Sequence, residues 1–257
     1  MQEFFEVVQQ LYHYNFREKM IRKLIPKAFK LQWQLFKRAR LDEQSGFYKQ
    51  LAVSRAVPQN FKCRITVTQP IKNNAGARNK VHNIKLAYQK MEHLMIQPGE
   101  SFSYWHVVTA PIPRNGFKKG RNLIAGKLQE DYGGGLCQLS GMMYIALLKA
   151  GLEITERHHH SIDIYTEASR YTPLGSDATV VYGYKDLRFK NNLNQNITFK
   201  IQFREDELDV ILCSNQPIKE HQISWELISN EGYKTVETKN DKNELLAVSR
   251  YKYLNHI

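Results

Sequence analysis

The chain has 257 residues, 42% hydrophobic and 24% charged, a globular composition that excludes intrinsic disorder, a collagen-like chain and a disulfide scaffold. Its 37 Lys and Arg against 25 Asp and Glu leave a formal charge of +12, which brings lipid headgroups, nucleic acid and acidic polymers into view as partners without choosing among them. Three cysteines with no CxxC pair argue against a cysteine-built zinc site and for a reducing compartment.

The first ten residues, Met1 to Gln10, carry acidic side chains where a signal peptide carries basic ones. No apolar run approaches the roughly 20 residues of a membrane-spanning helix. The expectation is a cytoplasmic protein, at most peripheral to the inner face of the membrane. Residues 17–40 hold Arg17, Lys19, Arg22, Lys23, Lys27, Lys30, Lys37, Arg38 and Arg40 against Glu18, so +8 of the +12 sits in this stretch. Within it Leu24, Ala28, Leu31 and Leu35, with Trp33 and Phe36 nearby, predict a basic amphipathic helix broken or started near Pro26. The favoured reading is a docking helix with a solvated basic face. Contact with an anionic membrane surface is the alternative, and nucleic acid is disfavoured.

Residues 41–60 are polar and turn-rich, which predicts a junction between a helical segment (1–57) and a main domain (58–257), with the core motifs at about 60–205 and further strands over 206–257. Alternation and β-branching from Cys63 predict a strand. The apolar spacing from Asn83 to Met95 predicts a helix ended by Pro98-Gly99. Residues 136–150 predict the clearest helix, with Leu139, Met143, Ala146 and Ala150 on one stripe and Gly151 to terminate it. Strands are expected over 154–164, 178–182, 197–203, 208–213, 222–228 and 246–253. The fold class is α+β: a helix that follows a glycine loop and carries a cysteine, packed on a largely antiparallel sheet.

Chemistry concentrates after Gly133-Gly134-Gly135. The glycines place Cys137 in the first turn of a helix, where the dipole and unpaired N–H groups lower a thiol pKa and could receive an oxyanion around Gly135 to Gln138. On a strand, His158 and His160 share a face, so one of the two is the candidate base, with Asp177 to orient its ring. The expected site is Cys137 and Asp177 with one of these histidines for catalysis, and Gly133, Gly134, Gly135, Gln138 and Ser103 for substrate binding. Two readings compete with catalysis. Cys137 can be a buried structural residue, or His158 and His160 can bind zinc with Cys137 or Asp177, although no HExxH or CxxC accompanies them. No metal and no cofactor are expected. Cys63 and Cys213, in predicted strands, are expected to be core residues.

Four ordered motifs carry a resemblance. Pro98 to Ser103, Gly133 to Ser140, Glu156-Arg157 with His160-Ser161, and Pro173 to Ala178 resemble the successive motifs of the VanW family over roughly residues 60–205. The resemblance implies a link to glycopeptide (vancomycin) resistance and cell-envelope biology, with a peptidoglycan-related peptide as the ligand class. It implies no established biochemical activity. The matched positions include Cys137, His160 and Asp177, so the resemblance makes the catalytic set Cys137, His160 and Asp177 and leaves His158 with the substrate-binding residues. Two functional readings follow: acyl transfer or amide hydrolysis by a Cys137 nucleophile, and a non-catalytic envelope-associated binding module.

Overall fold

The computed structural model describes residues 25–253 apart from 56, 58–60, 62, 72–75, 125, 126, 164–169 and 231. The basic residues expected at 17–23 therefore lie outside the described residues, as does Ile164, the end of one expected strand. The chain divides into two compact units, with the boundary between Ser45 and Gly46.

The described part of the first unit is helix α1 (Lys27–Gln44), which starts directly after Pro26. Proline suits that place, because it has no N–H to lose and its φ is already helical. None of the α1 residues is buried.

The second unit begins with α2 (Phe47–Gln50) and β1 (Cys63–Pro70), followed by α3 (Ala77–Met91), β2 (Ser101–Ser103) and α4 (Tyr104–Val108). Next come β3 (Lys119–Ile124), β4 (Lys127–Tyr132), α5 (Leu136–Lys149), β5 (Glu153–Glu156) and β6 (Arg188–Lys190). It ends with β7 (Ile197–Phe203), β8 (Glu207–Ser214), β9 (Ser224–Asn230), β10 (Tyr233–Lys239) and β11 (Leu245–Lys252). Residues 46–55, placed with the helical segment on sequence grounds, are tied to this unit. The Ala52 N–H donates to the Ser101 carbonyl at 2.9 Å. Arg55 holds Glu100 through two bonds of 2.7 and 2.6 Å.

The α+β class is as expected, but the expected sheet is several small ones. The strands form three antiparallel sheets, β1-β8-β7, β2-β6-β5 and β11-β10-β9, with β3-β4 as a separate hairpin. Helix α5 occupies the centre and packs against β1, β8, α3 and β5. It is apolar on every side, with Leu139, Met142, Met143, Ala146 and Leu147 all fully buried, which marks a core helix rather than a surface one. Strand β8 is sandwiched on both faces. Leu208, Val210 and Leu212 join the main core, while Ile211 and Cys213 join a small cluster with Phe61 and Met95. This alternation follows from the two-residue period of a strand.

Three expected elements differ. The helix expected over Asn83–Met95 runs instead over Ala77–Met91, so Asn83 is inside it, and Leu94 and Ile96 make isolated bridges to Ser54 and Ile197. The strand expected over 154–164 ends at Glu156, and residues 157–160 carry no ladder. Residues 178–182 form no strand beyond a single bridge between Val181 and Lys185. The side chains of 178–180 are buried and partly β-branched, as in a strand, while Val181 is exposed, and the carbonyls are used otherwise: that of Ala178 accepts from Ser140 Oγ at 2.6 Å and that of Val180 from the Cys137 thiol. Among the described residues no helix is long and apolar enough to cross a membrane.

Candidate functional site

The glycine run makes a turn that no other residue fits. Gly133 and Gly135 have φ of +85° and +99°, backbone that side chains with a Cβ rarely adopt. A Cβ on Gly134 would lie 2.6 Å from Gly120 Cα, so the turn touches the β3 backbone directly. Asn83, fully buried in α3, fixes the arrangement. Its side-chain amide donates to the Lys118 and Gly134 carbonyls at 2.9 and 3.0 Å, and its oxygen accepts the Lys118 N–H at 2.8 Å.

The turn delivers Cys137 as the second residue of α5. Its thiol donates to the Val180 carbonyl at 3.6 Å. Burial pushes the thiol up, with the Asp177 carboxylate adding to the rise, while the Val180 backbone and Lys185 oppose it. The lowered pKa expected of a helix N-terminus is therefore outweighed, because desolvation penalises the thiolate more than the helix end favours it. Of the N–H groups expected to receive an oxyanion, those of Leu136 and Gln138 already donate to the Gly133 and Gly135 carbonyls.

His160 is mostly enclosed, and burial lowers its pKa, opposed by Asp177 and assisted by Lys185, Arg157 and His159. Its imidazole is therefore neutral at physiological pH. Asp177 accepts the main-chain N–H of His160 at 2.6 Å rather than a ring proton. Its other oxygen accepts from Tyr251 Oη and from Arg157 Nη2. His158 turns to Glu156, its Nε2 donating at 2.9 Å. His159 Nδ1 donates to the His160 carbonyl at 2.7 Å, and its Nε2 accepts the Arg250 N–H at 3.4 Å. That pair of bonds requires the neutral ring, in keeping with a pKa lowered chiefly by burial.

Ser103 is nine-tenths buried or more and caps α4. Its hydroxyl accepts the His106 N–H at 3.2 Å and donates to Asp186 at 2.6 Å. Gln138 reaches away from the turn, donating to Gln69 Oε1 at 3.0 Å and the Pro70 carbonyl at 3.2 Å. Among the described residues no three His, Cys, Asp or Glu side chains gather as ligands of a metal.

Sequence reasoning named the residue at the centre of the cluster within a motif but gave it no role. Arg157, with a side chain only 7% exposed, donates from Nε to the Asp177 carbonyl at 2.7 Å. It also reaches the Gly175 carbonyl at 2.7 Å and Ser249 Oγ at 2.6 Å. Its guanidinium lies 4.8 Å from the centre of the Tyr144 ring. Tyr251 was missed, although the alternation of β11, with Ser249 and Tyr251 inward, was a readable signal for it. Tyr104, fully buried, senses Cys137 and Asp186. Two buried polar atoms in this neighbourhood, Tyr104 Oη and Thr179 Oγ1, have no hydrogen-bond partner among the described residues.

Residues 79–213, more than half of the chain, match the family described as VanW like protein. The chain is 33% identical over 145 residues to "Uncharacterized protein YoaR" of Bacillus subtilis (strain 168), a match covering 56% of this chain and 46% of that protein. It is 34% identical over 133 residues to "Vancomycin B-type resistance protein VanW" of Enterococcus faecalis (strain ATCC 700802 / V583), covering 52% of this chain and 48% of that one. The chain thus spans about half the length of the curated relatives it matches. No solved structure matches it significantly.

Proposed function

Since the chain belongs to the VanW-like family, we propose that it serves the cell envelope as a binding module, taking a peptidoglycan-related peptide at the turn that carries Cys137. The observation that carries this reading is the pair of unpartnered buried polar atoms, Tyr104 Oη and Thr179 Oγ1, beside a thiol held in its neutral form. Buried polar groups without partners are costly, and a ligand rich in amide N–H and C=O groups would satisfy them. The link to glycopeptide resistance comes from the name of the Enterococcus relative.

One observation favours a second reading, acyl transfer by Cys137. Cys137 and His160 both feel Asp177 and Lys185, and a neutral imidazole is the form that accepts a proton. In that reading His160 takes the thiol proton, the thiolate adds to an amide carbonyl, and the amine leaves with the proton to give a thioester that water hydrolyses.

Calorimetric titration of the full chain with a soluble muropeptide separates the two. The binding module is expected to bind with a constant affinity, release no amine, and keep its affinity in Cys137→Ser. Amine release by the wild type that Cys137→Ser abolishes would replace this reading with the catalytic one. Absence of binding in the wild type would overturn both.

A further inference from the structure

The exposed side of helix α1 is too apolar for a solvated helix. Phe29, Trp33 and Phe36 are 70, 58 and 54% exposed, and their spacing of four and three places them on one side of an α-helix. Trp33 and Phe36 stack with ring centres 5.8 Å apart. The Lys37 ammonium lies 5.3 Å from the centre of the Trp33 ring, and Arg40 continues the aromatic row one turn further. Over its length from Lys27 to Gln44 the helix has five basic residues against Asp42 and Glu43, which lie together in its last turn.

From this juxtaposition of an exposed aromatic row with Lys30, Lys37 and Arg40 beside it on a net basic helix we infer that α1 docks on an anionic lipid surface, lying in the plane of the headgroups. Indole and phenyl rings prefer the interface between headgroup and acyl chain, and Lys and Arg beside them meet lipid phosphates. Charge complementarity selects the occupant. A second copy of α1 would set the same positive charges against each other. A nucleic-acid duplex would use the basic residues and leave the aromatic row exposed, since its bases are already stacked on one another and phosphate contacts are made by charge. Lipid uses both. The inference does not depend on the Cys137 site.

The test is co-sedimentation of the full chain with vesicles of phosphatidylcholine, with and without phosphatidylglycerol. Binding is expected to the mixed vesicles alone and to weaken as salt is raised. The double variant Lys30→Glu/Lys37→Glu is expected to lower apparent affinity by at least about tenfold, each removed charge alone being worth about fivefold. Trp33→Ser/Phe36→Ser is expected to lose binding as well, with helical circular dichroism unchanged, because both rings are exposed. Equal binding to pure phosphatidylcholine, or no binding to either vesicle, would overturn the inference. So would retardation of duplex DNA by a chain that ignores vesicles, or a dimer that the aromatic double variant dissociates.

Discussion

Arg157 shows how a single side chain can hold together parts of the chain far apart in sequence. Its three nitrogens reach the 175–177 loop and β11 at once, and its planar face covers Tyr144 of α5. A lysine keeps the charge but has one nitrogen for these acceptors and no planar face. Arg157→Lys is therefore expected to cost about 2 kcal/mol of stability, from two or more lost charge-assisted bonds. Arg157→Ala is expected to cost about 3–4 kcal/mol, because Asp177 is left without its cationic partner. Urea denaturation of both variants checks the order, and a wild-type midpoint in Arg157→Ala would sink the account. At this scale Asp177 does lie beside His160, but it accepts the main-chain N–H rather than a ring proton. The sequence did not reveal such bonds. Asp177 was legible as a carboxylate near a histidine, but its partners include Tyr251, brought there by a strand whose position depends on the whole fold. The thiol was legible at a helix start, but its environment is set by packing against residues 178–180, which no local pattern records.

The elements differ in how much local pattern decides them. Helix α5 was legible because its glycine start, apolar stripe and Gly151 stop agree with each other. Residues 178–180 were misread because side-chain burial, which the pattern encodes, is the same whether a segment joins a ladder or lies across a helix N-terminus. The β3-β4 hairpin and β10 were passed over because Lys, Asn, Glu and Thr dominate them, and their pairing comes from neighbours rather than from alternation. Two glycines test whether the close approach of turn and hairpin matters. Gly134→Ala would drive a Cβ to 2.6–2.7 Å from the Gly120 backbone, with no flexible side chain to yield. A loss of about 2–3 kcal/mol is expected, in the range of overpacking. Gly141, inside α5, has its nearest contact at 3.6 Å, an ordinary distance. Gly141→Ala is expected to be neutral or to stabilise by about 0.5 kcal/mol, because alanine favours the helix. Equal melting temperatures for the two variants would contradict the geometry.

For the molecule as a whole, the buried titratable groups bound stability on both sides of neutrality. His159 and His160 are held below the ordinary imidazole value of 6.5 by burial. The unfolded chain therefore binds protons first as pH falls, and the stability present above pH 6.5 is lost as pH drops toward the folded values. Glu100 and Asp209 extend the loss further into acid. Burial raises both carboxyls, but hydrogen bonds from Arg55 and the Gln97 N–H to the first, and from Arg204 and Thr68 to the second, outweigh it. On the alkaline side, burial holds Cys137 and Cys213 above the ordinary thiol value of 9.0, so the unfolded chain loses its protons first and stability declines from there upward. The expected denaturation midpoint is highest between about pH 7 and 9. The variant His159→Gln/His160→Gln separates the histidines from the carboxylates. It is expected to flatten the slope between pH 6.5 and 5 while leaving the steeper loss below pH 4.5 in place. An unchanged slope above pH 5 would show that the buried imidazoles do not govern the first part of the acid limb.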